Sequence, residues 1–341
     1  MSTLIYENIE FHNVAELEEV LGLPGFRLQR FPKEVRNRLG HGDHERGRFY
    51  AQVSVGCEIR FVTSAKFIKI SLSSLEQEGT VYVYKGDYLH SVHSLPAGAI
   101  TTLHLEEPAK FAEVDPQLIQ NSNFAPKVWR LLFGKNSTVC FHALDCFGHQ
   151  WRVPTATEKP TCKLLAYGSS ITFGGDTNLY TNAYIQQAAR RLGWDVYNKG
   201  IAGSCFCEDF MAEYLSTIAS DVVTLELGVN MRGRFMPAEF EERAENLIEQ
   251  IRSNHPDKPI VTISIFPNGA SGSLSQANHS FTQILENIVN RRQDPLLYFI
   301  SGTEILSRFS GLTVDLLHPS DDGHIVMGEN LANKLKAMLE S

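Results

Sequence analysis

The second half of the chain alternates short apolar runs with amphipathic segments of helical period, and this alternation restricts the possible fold most strongly. The predicted strands are Lys163–Tyr167, Asp195–Asn198, Val222–Leu227, Ile260–Ile265 and Leu297–Ile300. The predicted helices are Asn182–Leu192, Phe206–Ala219, Pro237–Ser253, Gln276–Arg292 and Gly323–Leu339. Parallel strands need crossover connections, usually helices, and are buried on both faces. We therefore predict a doubly wound, flavodoxin-like α/β domain with a five-stranded parallel sheet.

The first half has a different pattern, in which apolar and polar residues alternate from about residue 45 to residue 153. In "FIKISL", Ile68, Ile70 and Leu72 share one face, and similar runs are "TVYVY", "ITTLHL", "VWRLLF" and "TVCFHAL". Short strands separated by Gly, Pro and Asn turns predict an antiparallel β-sandwich. Ahead of them, "NVAELEEVLG" predicts one short helix capped by Asn13.

A polar stretch with two prolines and no periodicity, "RVPTATEKPT", separates the two patterns. At 341 residues the chain is too long for one ordinary domain. We predict an N-terminal sandwich domain over residues 1–152, a linker over 153–161 and a C-terminal α/β domain over 162–341.

Charge and hydropathy restrict the partners. The formal net charge is −8 and basic residues do not cluster, which argues against nucleic acid as a partner. No segment approaches the roughly 20 apolar residues that cross a bilayer, and the N-terminus is acidic where a secretory signal would be basic. We expect a cytoplasmic protein without a membrane partner, and a homo-oligomer is an open alternative.

The cysteines lie scattered along the chain, which is typical of reduced thiols; they are Cys57, Cys140, Cys146, Cys162, Cys205 and Cys207. Cys205 and Cys207 have no second ligand pair nearby, and the spacing of His41 and His44 in "GHGDHERG" is more typical of a loop. We predict neither a metal nor an organic cofactor.

Residues with reactive or hydrogen-bonding side chains follow the predicted strands. Ser170 stands in "KLLAYGSSITFGG" after the first strand, and Asn230 follows the third strand. Asp315 and His318 lie three residues apart in "VDLLHPSDDGH", before the last helix. Loops at the carboxyl ends of parallel strands converge at one edge of the sheet. A serine activated by a histidine, itself oriented by a carboxylate, can attack a carbonyl there.

Four fragments together resemble the SGNH (GDSL-type) hydrolase family, whose blocks are a GDSxT-like loop, a glycine, a GxND segment and a terminal DxxH. Here they read G-S-S-I-T, Gly203, G-V-N-M and D-L-L-H, in family order between Lys163 and Leu339. Many relatives have aspartate where this chain has Ser169, and Met231 replaces the aspartate of the GxND block. These two departures concern the architecture of the loops.

The resemblance implies a role for each matching residue. Ser170 would be the nucleophile, His318 the general base and acid, and Asp315 the group that orients His318. The oxyanion hole would consist of the N–H groups of Ser170 and Gly203 with the side-chain amide of Asn230.

Three further residues in or near these fragments have structural interpretations. We expect Asn198 and Gly200 to be structural, and His324 to lie on the last helix as a surface or packing residue.

The substrate prediction depends on the polarity of two loops, "FGGDTNLYTN" and "FPNGASGSLSQANHS". Neither loop offers the apolar surface that a long acyl chain would bury. We expect a serine esterase acting on a small-molecule ester with a short acyl group, an acetyl group in a compound such as an acetylated sugar. The domain order also resembles carbohydrate esterases in which a jelly-roll module precedes the hydrolase. Acyl transfer at the same site, or weak catalysis in a carbohydrate-binding protein, are the alternatives.

Overall fold

The chain forms two compact units in a computed structural model that describes residues 3–40, 42, 44–119 and 122–339. Among the described residues, one unit contains Glu34–Ala51 and the chain from Cys162 onward; the other contains residues 3–33 and Gln52–Thr161. The break before Cys162 coincides with the end of the predicted linker. The segment Glu34–Ala51, which the sequence pattern placed in the N-terminal domain, groups instead with the second unit.

The first half contains twelve described strands and three short α-helices. The strands are β1 (Leu4–Tyr6), β2 (Ile9–His12), β3 (Glu16–Val20), β4 (Leu23–Gln29), β5 (Glu58–Thr63), β6 (Phe67–Ser74), β7 (Gly79–Lys85), β8 (Tyr88–Leu95), β9 (Ile100–Glu106), β10 (Val128–Phe133), β11 (Val139–Asp145) and β12 (Trp151–Arg152). The helices are α1 (Lys33–Arg36), α2 (Arg46–Ala51) and α3 (Pro116–Ile119).

These strands form two antiparallel sheets. The first has the order β1-β2-β5-β10-β7-β8, with β12 beside β5, and the second has the order β3-β4-β11-β6-β9. Buried side chains of both sheets share one core, in which Phe11 and Ile59 of the first sheet lie with Ile70 and Leu103 of the second. Alternating apolar positions therefore face each other across the two sheets, and the predicted sandwich is confirmed.

The helix predicted for "NVAELEEVLG" is wrong, because this segment contains strand β3. Glu18 on β3 pairs with Arg27 on β4, and Gly22, at φ +79°, lies in the turn between the strands. Asn13 does not cap a helix; its side-chain amide donates to the carbonyl of Gly56. Pairing with β4 outweighs the helical preference of leucine, alanine and glutamate.

The second half supplies the α/β elements. Its strands are β13 (Lys163–Tyr167), β14 (Asp195–Asn198), β15 (Val222–Glu226), β16 (Ile260–Ile263) and β17 (Leu297–Ile300). Its helices are α4 (Ser170–Phe173), α5 (Tyr184–Leu192), α6 (Asp209–Ser216), α7 (Pro237–Asn254), α8 (Gly272–Arg292), α9 (Gly302–Ile305) and α10 (Asp321–Leu339).

The five strands form one parallel sheet in the order β14-β13-β15-β16-β17. This is the flavodoxin-like order 2-1-3-4-5, and it confirms the predicted fold. The order reverses at β13, so the crevice for a ligand lies at the carboxyl ends of β13 and β15. Ser170 and Asn230 follow these two strands.

None of the helices in the described ranges is both long and apolar enough to span a bilayer.

Candidate active site

The turn after β13 presents Ser170 as the first residue of helix α4. Ser169 caps this helix, and its hydroxyl accepts a hydrogen bond from the backbone N–H of Ile171 at 3.1 Å. The first N–H groups of a helix have no partner within the helix, so the N–H of Ser170 is available to an anion. A Cβ at position 168 would lie 2.3 Å from the hydroxyl oxygen of Thr172 and 2.6 Å from Oε2 of Glu226, so any residue larger than glycine there would displace these side chains.

The buried carboxyl group of Glu226, on β15, holds this turn by hydrogen bonds. Its Oε2 accepts hydrogen bonds from the backbone N–H and the hydroxyl of Ser169, both at 2.7 Å, and from the hydroxyl of Thr172 at 3.1 Å. The hydroxyl of Tyr184 lies 2.8 Å from that of Thr172 and extends the network into the core. Glu226 therefore holds the residues on both sides of Ser170.

Burial dominates the ionisation of Glu226. Loss of solvation raises its pKa to about 7, although the hydrogen bonds from Ser169 and Thr172 lower it. The second oxygen, Oε1, is buried and has no hydrogen-bond partner within the described residues. No sequence motif identified Glu226; the available signal was a charged residue inside the otherwise apolar run "VVTLEL".

The loop before α10 brings His318 to Ser170. The Nε2 atom of His318 lies 2.7 Å from the hydroxyl oxygen of Ser170. The backbone of this loop is held at both ends: the N–H of Thr313 donates to the carbonyl of His318, and the N–H of Gly269 donates to the carbonyl of Leu316. The loop thus fixes the ring at hydrogen-bond distance from Ser170.

Asp315 contacts the other nitrogen of the same ring. Its Oδ2 lies 2.5 Å from Nδ1 of His318, and its Oδ1 accepts from the N–H groups of Leu317 and His318 and from the hydroxyl of Thr313. Burial alone would raise the pKa of Asp315, but these hydrogen bonds outweigh it and hold the pKa well below its usual range. Asp315 is thus ionised and can balance a positive charge on the ring.

A second carboxylate, which the sequence analysis did not identify, lies at the same nitrogen. Oδ2 of Asp176 is 3.2 Å from Nδ1 of His318. Asp176 has φ +63°, a left-handed conformation that aspartate tolerates better than most residues. Among the described residues, Asp176, Asp315 and His318 are the group that could hold a cation, with ligand atoms within 4.8 Å of one another. A cation on Nδ1 would compete with the hydrogen bond to Asp315.

The structure places Gly203 and Asn230 on neighbouring loops. Gly203 has φ +71°, which favours glycine, and its N–H has no hydrogen-bond partner in the described part of the chain. Oδ1 of Asn230 accepts from the N–H of Cys205 at 3.1 Å. This bond orients the side chain so that its NH₂ group remains as a donor. The N–H of Gly203 and the amide of Asn230 are thus both available to a ligand.

The remaining residues singled out by sequence are held by structural contacts. Asn198 donates to the carbonyl of Thr172 at 2.8 Å and accepts from the N–H of Gly200. His324 is buried on α10, where its Nδ1 accepts from the N–H of Tyr184 and its Nε2 lies 3.1 Å from the carbonyl of Gly175.

The residues considered as metal ligands have other roles or lie outside the described ranges. The thiols of Cys205 and Cys207 are buried, and that of Cys205 contacts the carbonyl of Glu226 at 3.7 Å. Nε2 of His44 lies 2.8 Å from the carbonyl of Gly203, whereas His41 lies outside the described residues.

Comparison with known families agrees with this arrangement of loops. Residues 166–326 match the GDSL-like lipase/acylhydrolase family. This part of the chain is a GDSL-like hydrolase domain. The match includes the turn that carries Ser170, Gly203, Asn230 and the Asp315–His318 loop, and it places the chain among the carboxylic ester hydrolases. None of the curated proteins searched matches the chain.

Solved structures share the fold of the GDSL-like domain and of the sandwich at low sequence identity. The salicylyl-acyltransferase SsfX3 from a tetracycline biosynthetic pathway is 14% identical, with a TM-score of 0.80 over 99% of this chain and 96% of that one. A family two carbohydrate esterase from Clostridium thermocellum, solved with cellohexaose, is 19% identical, with a TM-score of 0.62 over 84% and 94% of the two chains. Another from Cellvibrio japonicus is 15% identical, with a TM-score of 0.63 over 84% and 90%.

Within this GDSL-like domain, Glu226 is the carboxyl acceptor for Ser169, the residue before Ser170. Both the hydroxyl and the N–H of Ser169 donate to this carboxyl group, each at 2.7 Å. The carboxyl group that accepts these hydrogen bonds thus belongs to the neighbouring strand β15 and not to the turn itself.

Proposed function

We propose that this protein is a serine esterase that hydrolyses short-chain acyl esters, acetyl esters in particular, of a polar alcohol such as a sugar. The observation that carries the proposal is the 2.7 Å distance from the hydroxyl oxygen of Ser170 to Nε2 of His318. A serine hydroxyl is a weak nucleophile until an adjacent base takes its proton. Within the GDSL-like domain, this pair supplies that combination.

The reaction passes through an acyl-enzyme. Ser170 Oγ attacks the ester carbon while its proton moves to Nε2 of His318, and the carbonyl becomes an oxyanion. The N–H groups of Ser170 and Gly203 and the amide of Asn230 stabilise this oxyanion. Its collapse breaks the bond to the alcohol, which leaves with the proton from Nε2. Water then attacks the acyl group by the same proton transfers, releases the acid and restores Ser170.

Asp315 assists both steps through the imidazole ring. It accepts the Nδ1–H hydrogen bond at 2.5 Å, which keeps Nε2 free to act as the base. When His318 becomes positively charged, the ionised carboxylate of Asp315 stabilises that charge. It does so without taking the proton.

Two observations support a sugar acetate as the substrate. The connection after β16, including Gly269, is polar and hydrogen-bonds to the loop of Asp315 and His318. Esterases of the same fold include a family two carbohydrate esterase solved with cellohexaose. A short acyl group needs no long apolar groove, in agreement with such a polar wall.

Acyl transfer is the second candidate, since the salicylyl-acyltransferase SsfX3 shares the fold over nearly the full length of both chains. In that reaction a hydroxyl or amine acceptor would replace water in the second step. Competition distinguishes the two reactions: rising acceptor concentration would divert the acyl group into a new ester or amide at the expense of free acid.

The test of the proposal is hydrolysis of p-nitrophenyl acetate, butyrate and octanoate by the wild type and by Ser170→Ala. We expect the highest kcat/KM for acetate and loss of nearly all activity in the variant. Equal activity in both proteins would exclude Ser170 as the nucleophile and would favour a carbohydrate-binding role.

A further inference from the structure

A segment from the first half of the chain, Glu34–Ala51, contacts the loop that carries Gly203. This segment belongs to the same compact unit as the GDSL-like domain. Nε2 of His44 donates to the carbonyl of Gly203 at 2.8 Å. Gly47 packs so closely on Ser204 that an added Cβ would lie 2.9 Å from the Ser204 side chain. The segment is therefore fixed against the loop on which the proposed oxyanion donor lies.

Aromatic rings of the segment Glu34–Ala51 make further contacts with this part of the protein. The ring of His44 lies 5.6 Å from that of Phe206, and the ring of Tyr50 packs edge-on against Phe173 of α4 at 5.4 Å. The segment thus touches both the Gly203 loop and the helix that begins at Ser170. Its side chains belong to the surroundings of the proposed active site.

Arg46 is the charged residue that this segment places next to Gly203. Its Cδ, Nε and one terminal nitrogen would each lie 3.6 Å from a Cβ built on Gly203, so the Arg46 side chain lies beside the face of this glycine that has no side chain. Arg46 is exposed, and no carboxylate among the described residues forms an ion pair with it. By contrast Arg48, two residues later, pairs with Glu45 at 3.0 Å.

A second arginine, from a segment that follows the Gly203 loop in the chain, lies near the same loop. The guanidinium carbon of Arg234, in the turns that follow Asn230, lies 5.8 Å from the centre of the Phe206 ring. Arg234 also has no ion pair with a carboxylate of the described residues. Two exposed cations beside one loop stand out in a chain whose net charge is −8. By contrast, the carboxylates of Asp176 and Asp315 both lie within hydrogen-bond distance of His318.

We propose that Arg46 binds an anionic group, a carboxylate or a phosphate, that the substrate carries close to the scissile ester. The guanidinium suits both groups, because its planar set of N–H donors matches two anionic oxygens at once. This inference depends on the proposed esterase function and specifies its substrate class as a charged ester. The anion can belong either to the acyl group or to the alcohol, and the two cases present the same chemistry to Arg46.

Two pairs of esters test the inference. For an anion on the acyl group, mono-4-nitrophenyl succinate is compared with 4-nitrophenyl butyrate, which has the same chain length. For an anion on the alcohol, 3-acetoxybenzoate is compared with phenyl acetate. The readout is the ratio of kcat/KM for the charged ester to that for its neutral counterpart. This ratio does not depend on the fraction of active protein.

The variants are Arg46→Gln and the matched control Arg48→Gln on the same helix. We expect Arg46→Gln to lower the ratio about tenfold or more in at least one pair, as befits a lost charge-assisted hydrogen bond. Arg48→Gln should leave it unchanged. The pair in which the ratio falls identifies the part of the substrate that carries the anion. Added salt should lower the wild-type ratio as well.

Two results would overturn the inference: a ratio unchanged by Arg46→Gln in both pairs, or an equal decrease in Arg48→Gln, which would indicate general surface charge. Failure of the esterase function gives a different result. In that case Ser170→Ala would still hydrolyse the neutral esters, or the wild type would hydrolyse none of the four.

Discussion

At the scale of single residues, His318 is distinguished by two carboxylates at one ring nitrogen. Asp315 is the nearer, at 2.5 Å from Nδ1, and is held by three further donors, whereas Asp176 lies at 3.2 Å; the two side chains are similarly exposed. A carboxylate that is fixed by several donors and lies closer to the ring orients it better than a more distant one. Asp176 is still close enough to stabilise the charged ring when Asp315 is absent.

We therefore predict unequal effects of the two substitutions on kcat. Asp315→Asn should lower kcat by about 10²-fold or more, Asp176→Asn by less than about tenfold, and the double variant further than Asp315→Asn alone. Kinetics on p-nitrophenyl acetate measure this, with Asp322→Asn, an exposed residue of α10, as the control. Equal effects of the two single variants would contradict the ranking.

Asn230 gives a second prediction at this scale. Its side-chain carbonyl is used by the N–H of Cys205, so its NH₂ group is the donor left for an oxyanion. Asn230→Ala should lower kcat by about 10²–10³-fold with little change in KM, because an oxyanion donor acts mainly in the transition state. A change confined to KM would assign Asn230 to ground-state binding instead.

At the scale of elements, the contact between β15 and the start of α4 depends on the buried carboxyl group of Glu226. Burial raises its pKa to about 7, from 4.5 for an exposed glutamate. At a pH between these two pKa values, Glu226 keeps its proton in the folded protein but has lost it in the unfolded chain. The folded state thus binds more protons, and stability must fall as pH rises through this window.

The wild type should therefore lose more unfolding free energy between pH 5 and pH 8 than Glu226→Gln does, by on the order of 2–3 kcal/mol. Denaturant titrations at the two pH values measure the difference. Glu208, whose pKa burial also raises to about 7, is present in both proteins and cancels in the comparison. An identical pH dependence in the two proteins would show that Glu226 does not titrate in this range.

The close approach of the Gly200 loop to α4 gives another prediction for the elements. A Cβ on Gly200 would lie 2.4 Å from the backbone nitrogen of Phe173, and backbone cannot move aside as a side chain can. Gly200→Ala should lower the unfolding free energy by about 2 kcal/mol or more. Gly134→Ala, whose nearest neighbours would be 3.4 Å away, should have a smaller effect. Equal losses in the two variants would contradict this account.

The elements also show what could be predicted from the sequence. The strands of the parallel sheet were predicted to within two residues, because each is a buried apolar run with a clear end. Strand β3 was mistaken for a helix, because its pairing with β4 is not a local property. Ser170, His318 and Asp315 could be found from motifs, whereas Asp176 and Arg46 could not, since only the folded chain brings them to His318 and Gly203.

At the scale of the whole molecule, the two units are not two continuous stretches of sequence. The chain supplies Glu34–Ala51 to the unit that otherwise begins at Cys162. A protein truncated to residues 162–341 would lack this segment, including Arg46 and the His44 contact with Gly203. Kinetic experiments on this protein therefore require the full chain.

The central claim is that Ser170 attacks the ester and carries the acyl group, and intact-protein mass spectrometry tests it most directly. The full chain is mixed with excess p-nitrophenyl acetate and quenched in acid within the first turnovers. We expect a species heavier by one acetyl group, with the label on the peptide that contains Ser170, and no such species in Ser170→Ala. A label on a wild-type peptide that lacks Ser170, or the same label in Ser170→Ala, would contradict the proposed mechanism.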